Sequence, residues 1–166
     1  MNYYKLPDMS YYQYGWNKEI TKIEKYINFE EILRSSQGNW QDKAYKVSCQ
    51  NAKAAGLLVG NYHYYDNRYH PKRQAEAWAA SISDEQCVLG AWLDLEDSRP
   101  GQFKTYLDWA DCMAYFMLLK PNIKVGIYTR ASYFNDPAFS IPVNHVFRFM
   151  PLWVAHYNPY VTKPDL

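Results

Sequence analysis

The chain has 166 residues, the size of one domain, and a chain of this length buries roughly two-thirds of the surface that its unfolded form exposes. Its 48% hydrophobic and 21% charged residues belong to a folding globular protein and not to a disordered one. With 18 Lys and Arg against 17 Asp and Glu, no basic surplus exists to release counterions from a nucleic-acid backbone, which argues against DNA or RNA as a partner.

Along the chain, short apolar runs alternate with helical patterns. The first runs predict strands over 5–10 and 31–36. Asp42 then stands where a residue can cap a helix reaching Ala55, with Ala44, Val47 and Ala52 inward, and Gly56 supplies the left-handed stop. A strand over 57–65 follows. Pro71 opens a second helix in its first turn, where a missing N–H costs nothing, and Ala75, Trp78, Ala79 and Ile82 recur at helical spacing. After a strand over 88–96, a third helix is expected from Phe103 to Leu119. Its apolar stripe is Phe103, Tyr106, Leu107, Ala110, Met113, Ala114 and Met117, and Pro121 ends it. Strands over 124–129 and 152–157 complete the series. Strand and helix in alternation imply parallel pairing through right-handed crossovers, and such units can close into a β/α barrel whose working site lies at the carboxyl ends of the strands.

Rings are abundant, with 17 Tyr, 7 Phe and 6 Trp. Tyrosine combines an apolar face with a hydrogen-bonding tip, which suits a sugar-binding groove, although composition alone also fits a surface bias with no ligand. Cys49, Cys87 and Cys112 are too few for a disulfide framework and lack zinc-ligand spacing, so they are expected to be reduced and partly buried. Met1-Asn2-Tyr3-Tyr4-Lys5 lacks the apolar segment of a secretory signal, and no run is long enough to span a bilayer. The expectation is a soluble product of the cytoplasm with no membrane insertion.

The densest chemistry lies in Gly90-Ala91-Trp92-Leu93-Asp94-Leu95-Glu96-Asp97. Side chains alternate along a strand, so Trp92, Asp94 and Glu96 share one face while Ala91, Leu93 and Leu95 share the other. Two acids side by side push one pKa upward, which is what a general acid needs near neutrality. Two other readings stay open: the acids face solvent beyond the strand end, or they hold a divalent cation, which favours oxygen ligands. Asp8 ends the first predicted strand, where an Asp is commonly a turn or cap residue. Further strand ends bring Asn61-Tyr62-His63-Tyr64, Tyr128-Thr129 and Trp153-Val154-Ala155-His156-Tyr157 to the same rim. His63 and His156 fit equally as hydrogen-bonded core histidines.

The ordered set Asp8-x-Ser10-x-x-Gln13, Ala54-Ala55-Gly56-Leu57-Leu58-Val59-Gly60-Asn61-Tyr62-His63-Tyr64, Leu93-Asp94-Leu95-Glu96, Gly126-Ile127-Tyr128-Thr129 and Pro151-Leu152-Trp153-Val154-Ala155-His156-Tyr157 resembles the lysozymes of glycoside hydrolase family 25. The resemblance runs over nearly the whole chain. It implies an irregular, flattened β/α barrel, similar to a TIM barrel, that cleaves the β-1,4 bond between N-acetylmuramic acid and N-acetylglucosamine of bacterial peptidoglycan. It further implies Glu96 as proton donor, Asp94 and Asp8 as its charged partners, and Tyr62, Tyr64, Tyr128 and Trp153 along the sugar subsites. No cofactor and no metal is implied.

Two departures stand out. Where the family has a Lys strand and a Thr-Glu-Gly-like turn, this chain has Arg34-Ser35-Ser36-Gln37-Gly38. The family also continues past the Trp-Val-Ala-His-Tyr strand, whereas this sequence stops at Leu166, and Asp165 does not match the family's final acid. The expectation is therefore one catalytic domain over residues 1–166, short at its C-terminus, with an open side on the last strand and room for a cell-wall-binding or virion segment beyond it. A bacteriolytic, endolysin-type enzyme reaching the wall after lysis or from a virion is the leading reading. The alternative is a non-catalytic glycan-binding or virion structural module on the same fold. The carboxyl groups facing each other across the groove are expected at the wider separation, about 6.5–9.5 Å, that admits a water.

Overall fold

The computed structural model describes residues 8–10, 30–130, 133 and 141–155, with Asp8 and Met9 given by their backbone. Predicted strand residues 5–7, and His156 and Tyr157 at the end of the last predicted strand, lie outside the described residues, as do Gln13 and Asp165. The strands are β1 (Asp8–Met9), β2 (Glu30–Gln37), β3 (Trp40–Gln41), β4 (Leu58–Tyr64), β5 (Ala91–Leu95), β6 (Val125–Arg130) and β7 (Leu152–Ala155). The α-helices among the described residues are α1 (Tyr45–Ala54), α2 (Pro71–Ser81) and α3 (Tyr106–Leu119). Pairing runs β1-β2-β4-β5-β6-β7, parallel throughout, and β3 folds back antiparallel on β2. The mixed α/β class and all the expected strands are present; β3 is an addition to them. Among the described residues β7 pairs with β6 alone.

Alternation along each strand sorts the side chains into two faces. Leu33, Val59, Leu93, Leu95 and Ile127 belong to the core that also holds Trp78, Trp109 and Phe116. Trp78 of α2 stacks on Phe116 of α3 with ring centroids 3.7 Å apart, which ties the two helices over the centre of the sheet.

The helix ends follow local chemistry. Pro71 occupies the first turn of α2 behind His70, whose ring accepts from the Lys72 N–H. Thr105 and Asp108 form a reciprocal capping box, so α3 starts at Tyr106 and not at Phe103. Helix α1 starts at Tyr45, later than expected. Asp42 accepts from the Ala44 N–H, but its other oxygen takes the buried Arg34 Nε at 2.7 Å, so this carboxylate serves an ion pair more than a helix. Gly56, at φ 76°, follows α1 as expected.

Two inward assignments need correction. Val47 is exposed, and Tyr45, Ser48, Cys49 and Ala52 form the buried side of α1. In α3 the buried residues are Trp109, Cys112, Met113 and Phe116, while Leu107, Ala114 and Met117 are exposed. That helix is apolar almost all round, so periodicity does not select a face. The large rings of Trp109 and Phe116 take the core position.

One buried group of β2 is a liability. Glu31 is 1% exposed and neither of its carboxyl oxygens has a hydrogen-bond partner. Burial raises its pKa from an ordinary 4.5 to about 7. A pKa raised by folding contributes stability that is fully present below about pH 4.5 and is gone once the pH has risen through about 7. The chain should therefore lose stability across that window, by up to roughly 3 kcal/mol. Glu31→Gln removes the titration, and chemical denaturation from pH 4 to pH 8 should show a flatter profile for the variant. Parallel profiles would place the ionisation elsewhere.

Candidate active site

The site is built by strand register. Gln37, Tyr64, Asp94, Tyr128 and Trp153 are successive partners across β2, β4, β5, β6 and β7. Paired residues of neighbouring strands point to the same side, so this row faces away from the helix-covered core. One position earlier on that face stand Arg34, Tyr62, Trp92 and Gly126, again level with one another. Glu96 follows directly after β5 and is half-buried, whereas Asp94 is 3% exposed.

Aromatic rings form one wall of this region. Trp153 meets Tyr128 edge-on at 4.7 Å and Trp92 edge-on at 5.8 Å. Trp92 is anchored by its ring N–H to the Leu89 carbonyl at 3.1 Å. It lies across Gly126, where an added Cβ would stand 2.5 Å from the indole. Tyr128 is buried, so Trp153 and the partly exposed Tyr62 and Tyr64 present more surface than it does. The Tyr64 hydroxyl is pushed up to about 12, first by burial and then by the negative charges of Asp97, Asp94 and Glu96, which Arg99 opposes.

Of the residues singled out by sequence, Tyr62, Tyr64, Asp94, Glu96, Tyr128 and Trp153 are thus gathered at one end of the sheet. Asp8 is located by its backbone, level with Ile32 and through it with Gly60, four positions before Tyr64 along β4. The distance from its carboxyl to the others involves a side chain outside the described residues.

His63 belongs to the other face. It is fully buried, stacks on Trp78 at 5.4 Å, and bridges Ser36 Oγ at 2.8 Å and Gln74 Oε1 at 3.3 Å. A carbonyl oxygen only accepts, so His63 Nε2 carries the proton and Nδ1 accepts from Ser36. Burial lowers its pKa to about 4, which keeps the ring neutral. The core reading of this histidine is correct. Among the described residues no three His, Cys, Asp or Glu side chains gather into a metal-binding group.

Sequence reasoning passed over a repeated element at this end. Asp66-Asn67-Arg68 follows β4, and Asp97-Ser98-Arg99 follows β5. In each, the Asp Oδ1 accepts both the backbone N–H and the Nε of the arginine two residues on: 3.1 and 2.9 Å in the first, 3.1 and 2.6 Å in the second. Arg99 also reaches Asp66 Oδ2 at 3.2 Å, joining the two loops. Burial works to raise the Asp66 pKa, but the bonds from Arg68 and the charge of Arg99 outweigh it and hold the carboxyl below its usual range. The repeated Asp-x-Arg spacing was a legible signal. Asp97, although adjacent to Glu96, is committed to this pairing.

Fold and site together define an α/β protein with carboxylates and aromatic rings side by side at the carboxyl ends of parallel strands. The chain belongs to the glycosyl hydrolases family 25, whose model matches residues 8–165. An autolytic lysozyme of Clostridium acetobutylicum is 27% identical over 145 residues, covering 81% of this chain and 39% of that protein. The chain thus spans well under half the length of that relative. The bacterial lysozyme of Streptomyces coelicolor superposes with a TM-score of 0.70 at 23% identity, covering 95% of this chain and 76% of that one. A family 25 glycosyl hydrolase from Bacillus anthracis gives 0.73 at 18% identity, covering 100% and 76%. These likenesses bear out the mixed α/β fold with its mostly parallel sheet.

The aromatic wall is open to test at Gly126. Gly126→Ala must displace the Trp92 ring, because the Pro151 carbonyl closes the alternative side at 2.9 Å. The expected cost is about 1–3 kcal/mol, with a changed tryptophan emission. Wild-type stability together with unchanged emission would show that the ring is not seated over this glycine.

Proposed function

We propose that this chain is a muramidase that hydrolyses the β-1,4 bond between N-acetylmuramic acid and N-acetylglucosamine in bacterial peptidoglycan. The observation that carries this reading is the level row Tyr64, Asp94, Tyr128 and Trp153 at the carboxyl ends of the strands, with Glu96 just beyond it. Family membership over residues 8–165 and the lysozyme name of the Clostridium relative support it.

In this reading Glu96 gives its proton to the leaving glycosidic oxygen. Asp94, buried beside it, and Asp8 stabilise the positive charge that develops at the oxocarbenium-like carbon. Tyr62, Tyr64, Tyr128 and Trp153 line the subsites, where ring faces meet the apolar faces of pyranoses and hydroxyl tips meet their polar edges. The neutral His63 takes no part in proton transfer. The domain is residues 1–166, acting on the cell wall after lysis or from a virion, alone or with a wall-binding or virion segment. No helix among the described residues is long and apolar enough to cross a membrane.

Glu96→Gln keeps the shape of the side chain and removes the transferable proton. Turbidity clearing of purified peptidoglycan should fall by about two to four orders of magnitude, with circular dichroism and glycan binding unchanged. Clearing at the wild-type rate would end the assignment, and a wild-type chain that binds glycan without clearing it would favour a non-catalytic module. Clearing should also withstand a chelator, since the proposed steps use carboxylates alone; recovery only on adding back zinc or magnesium would call for a metal mechanism.

A further inference from the structure

We infer that Thr129, Asn67 and Tyr133 are positioning residues for Glu96, gripping the peptide group that precedes it and the one that follows Asp97. The inference rests on the reading of Glu96 as the proton donor. Glu96 lies just past the last residue of β5, where the ladder of the sheet no longer dictates the direction of a side chain. The carbonyls of its two sequence neighbours, Leu95 and Asp97, are held instead by side chains from other elements. On the near side, Thr129 of β6 donates its hydroxyl to the Leu95 carbonyl at 2.7 Å. On the far side, the Asp97 carbonyl takes the Asn67 side-chain amide at 2.6 Å and the Tyr133 hydroxyl at 3.0 Å.

Asn67 grips the same loop through its backbone as well. Its N–H donates to Asp97 Oδ2 at 3.1 Å, and its carbonyl accepts from the Phe103 N–H at 2.9 Å. The approach is close enough that a Cβ on Gly101 would meet the Asn67 carbonyl. Thr129, Asn67 and Tyr133 are all buried, so water does not compete for these bonds. Packing alone would be served as well by Val, Leu and Phe at these positions. Polar donors concentrated on the carbonyls of an acid's two neighbours have a directional result: rotation of the Leu95–Glu96 peptide group swings the Glu96 side chain directly, and the hold on the Asp97 carbonyl anchors the chain one residue beyond it. A misplacement of about 1 Å at a reacting group costs on the order of a hundredfold in rate.

The test uses Thr129→Val, which keeps the shape and removes the hydroxyl, against Thr129→Ser, which keeps the hydroxyl. On soluble peptidoglycan fragments, the valine variant should lose about tenfold or more in kcat with KM held within about twofold, and serine should restore most of the loss. Tyr133→Phe, which removes one hydroxyl only, is the milder second variant and should lose about threefold in kcat. Independently of activity, the NMR titration midpoint of the Glu96 carboxyl should move by about half a pH unit or more in Thr129→Val and Tyr133→Phe, and not in Thr129→Ser. A Glu96 titration indifferent to all of these changes would overturn the inference, as would valine and serine variants losing kcat alike in proportion to lost stability. If the wild type cleaves no glycan while its Glu96 titration responds to Thr129→Val, the clamp stands and the muramidase reading fails. If it cleaves and the titration does not respond, the clamp alone fails.

Discussion

Parallel pairing from β2 to β7 keeps Gln37, Tyr64, Asp94, Tyr128 and Trp153 level, and the alternation of side chains turns that row away from the helices. Because the period is two, a slip of one residue in any of these strands would send Asp94 or Tyr64 into the hydrophobic core and a leucine or isoleucine into the groove. The register is locked by the apolar side. Leu93, Leu95 and Ile127 have nowhere else to be buried once α2 and α3 cover them. The core therefore aims Asp94, and the chemistry proposed for this face depends on residues that never touch it.

A second layer of order begins where the sheet ends. His63 and Gln74 link β2, β4 and α2, and the Gln74 amide goes on to hold the Asp66 and Tyr69 carbonyls. This fixes the loop that carries Asp66 and Asn67, and Arg99 then ties it to the loop after β5. The Asp carboxylates in this pairing are buried while the Arg68 and Arg99 side chains remain about half exposed. Each arginine so keeps part of its hydration while neutralising a group that has lost its own, which avoids the full cost of a buried ion pair.

How much of this could be read from the sequence depended on how local each signal was. The alternation in Ala91-Trp92-Leu93-Asp94-Leu95 is self-contained and correctly picked out Ala91, Leu93 and Leu95 as the core face. Pro71 and Gly56 mark helix boundaries through their own backbone chemistry. The buried face of α3 was misread because Leu107 and Met117 are as apolar as Trp109 and Phe116, and only the shape of the partner helix chooses between them. Asp42 looked like a helix cap because its partner Arg34 lies on a strand eight residues earlier. The link between Asn67 and Asp97 spans thirty residues, and nothing in either neighbourhood announces the other. The place of Tyr128 on the strand was legible, but not its burial against Trp153.

The loops at the carboxyl end behave, in packing terms, as extensions of the core. Variation in specificity on parallel α/β folds ordinarily comes from changing the length of such loops. Here the stretches 66–69 and 96–101 cannot accept an inserted residue without breaking a buried bond to the other. Length can change more freely where the chain is solvated, as around Val143 and Asn144, whereas the exposed Ser98 and Pro100 admit only replacement of the side chain. A graft meant to redesign the groove would therefore have to carry both Asp-x-Arg segments across together, as one transplanted unit.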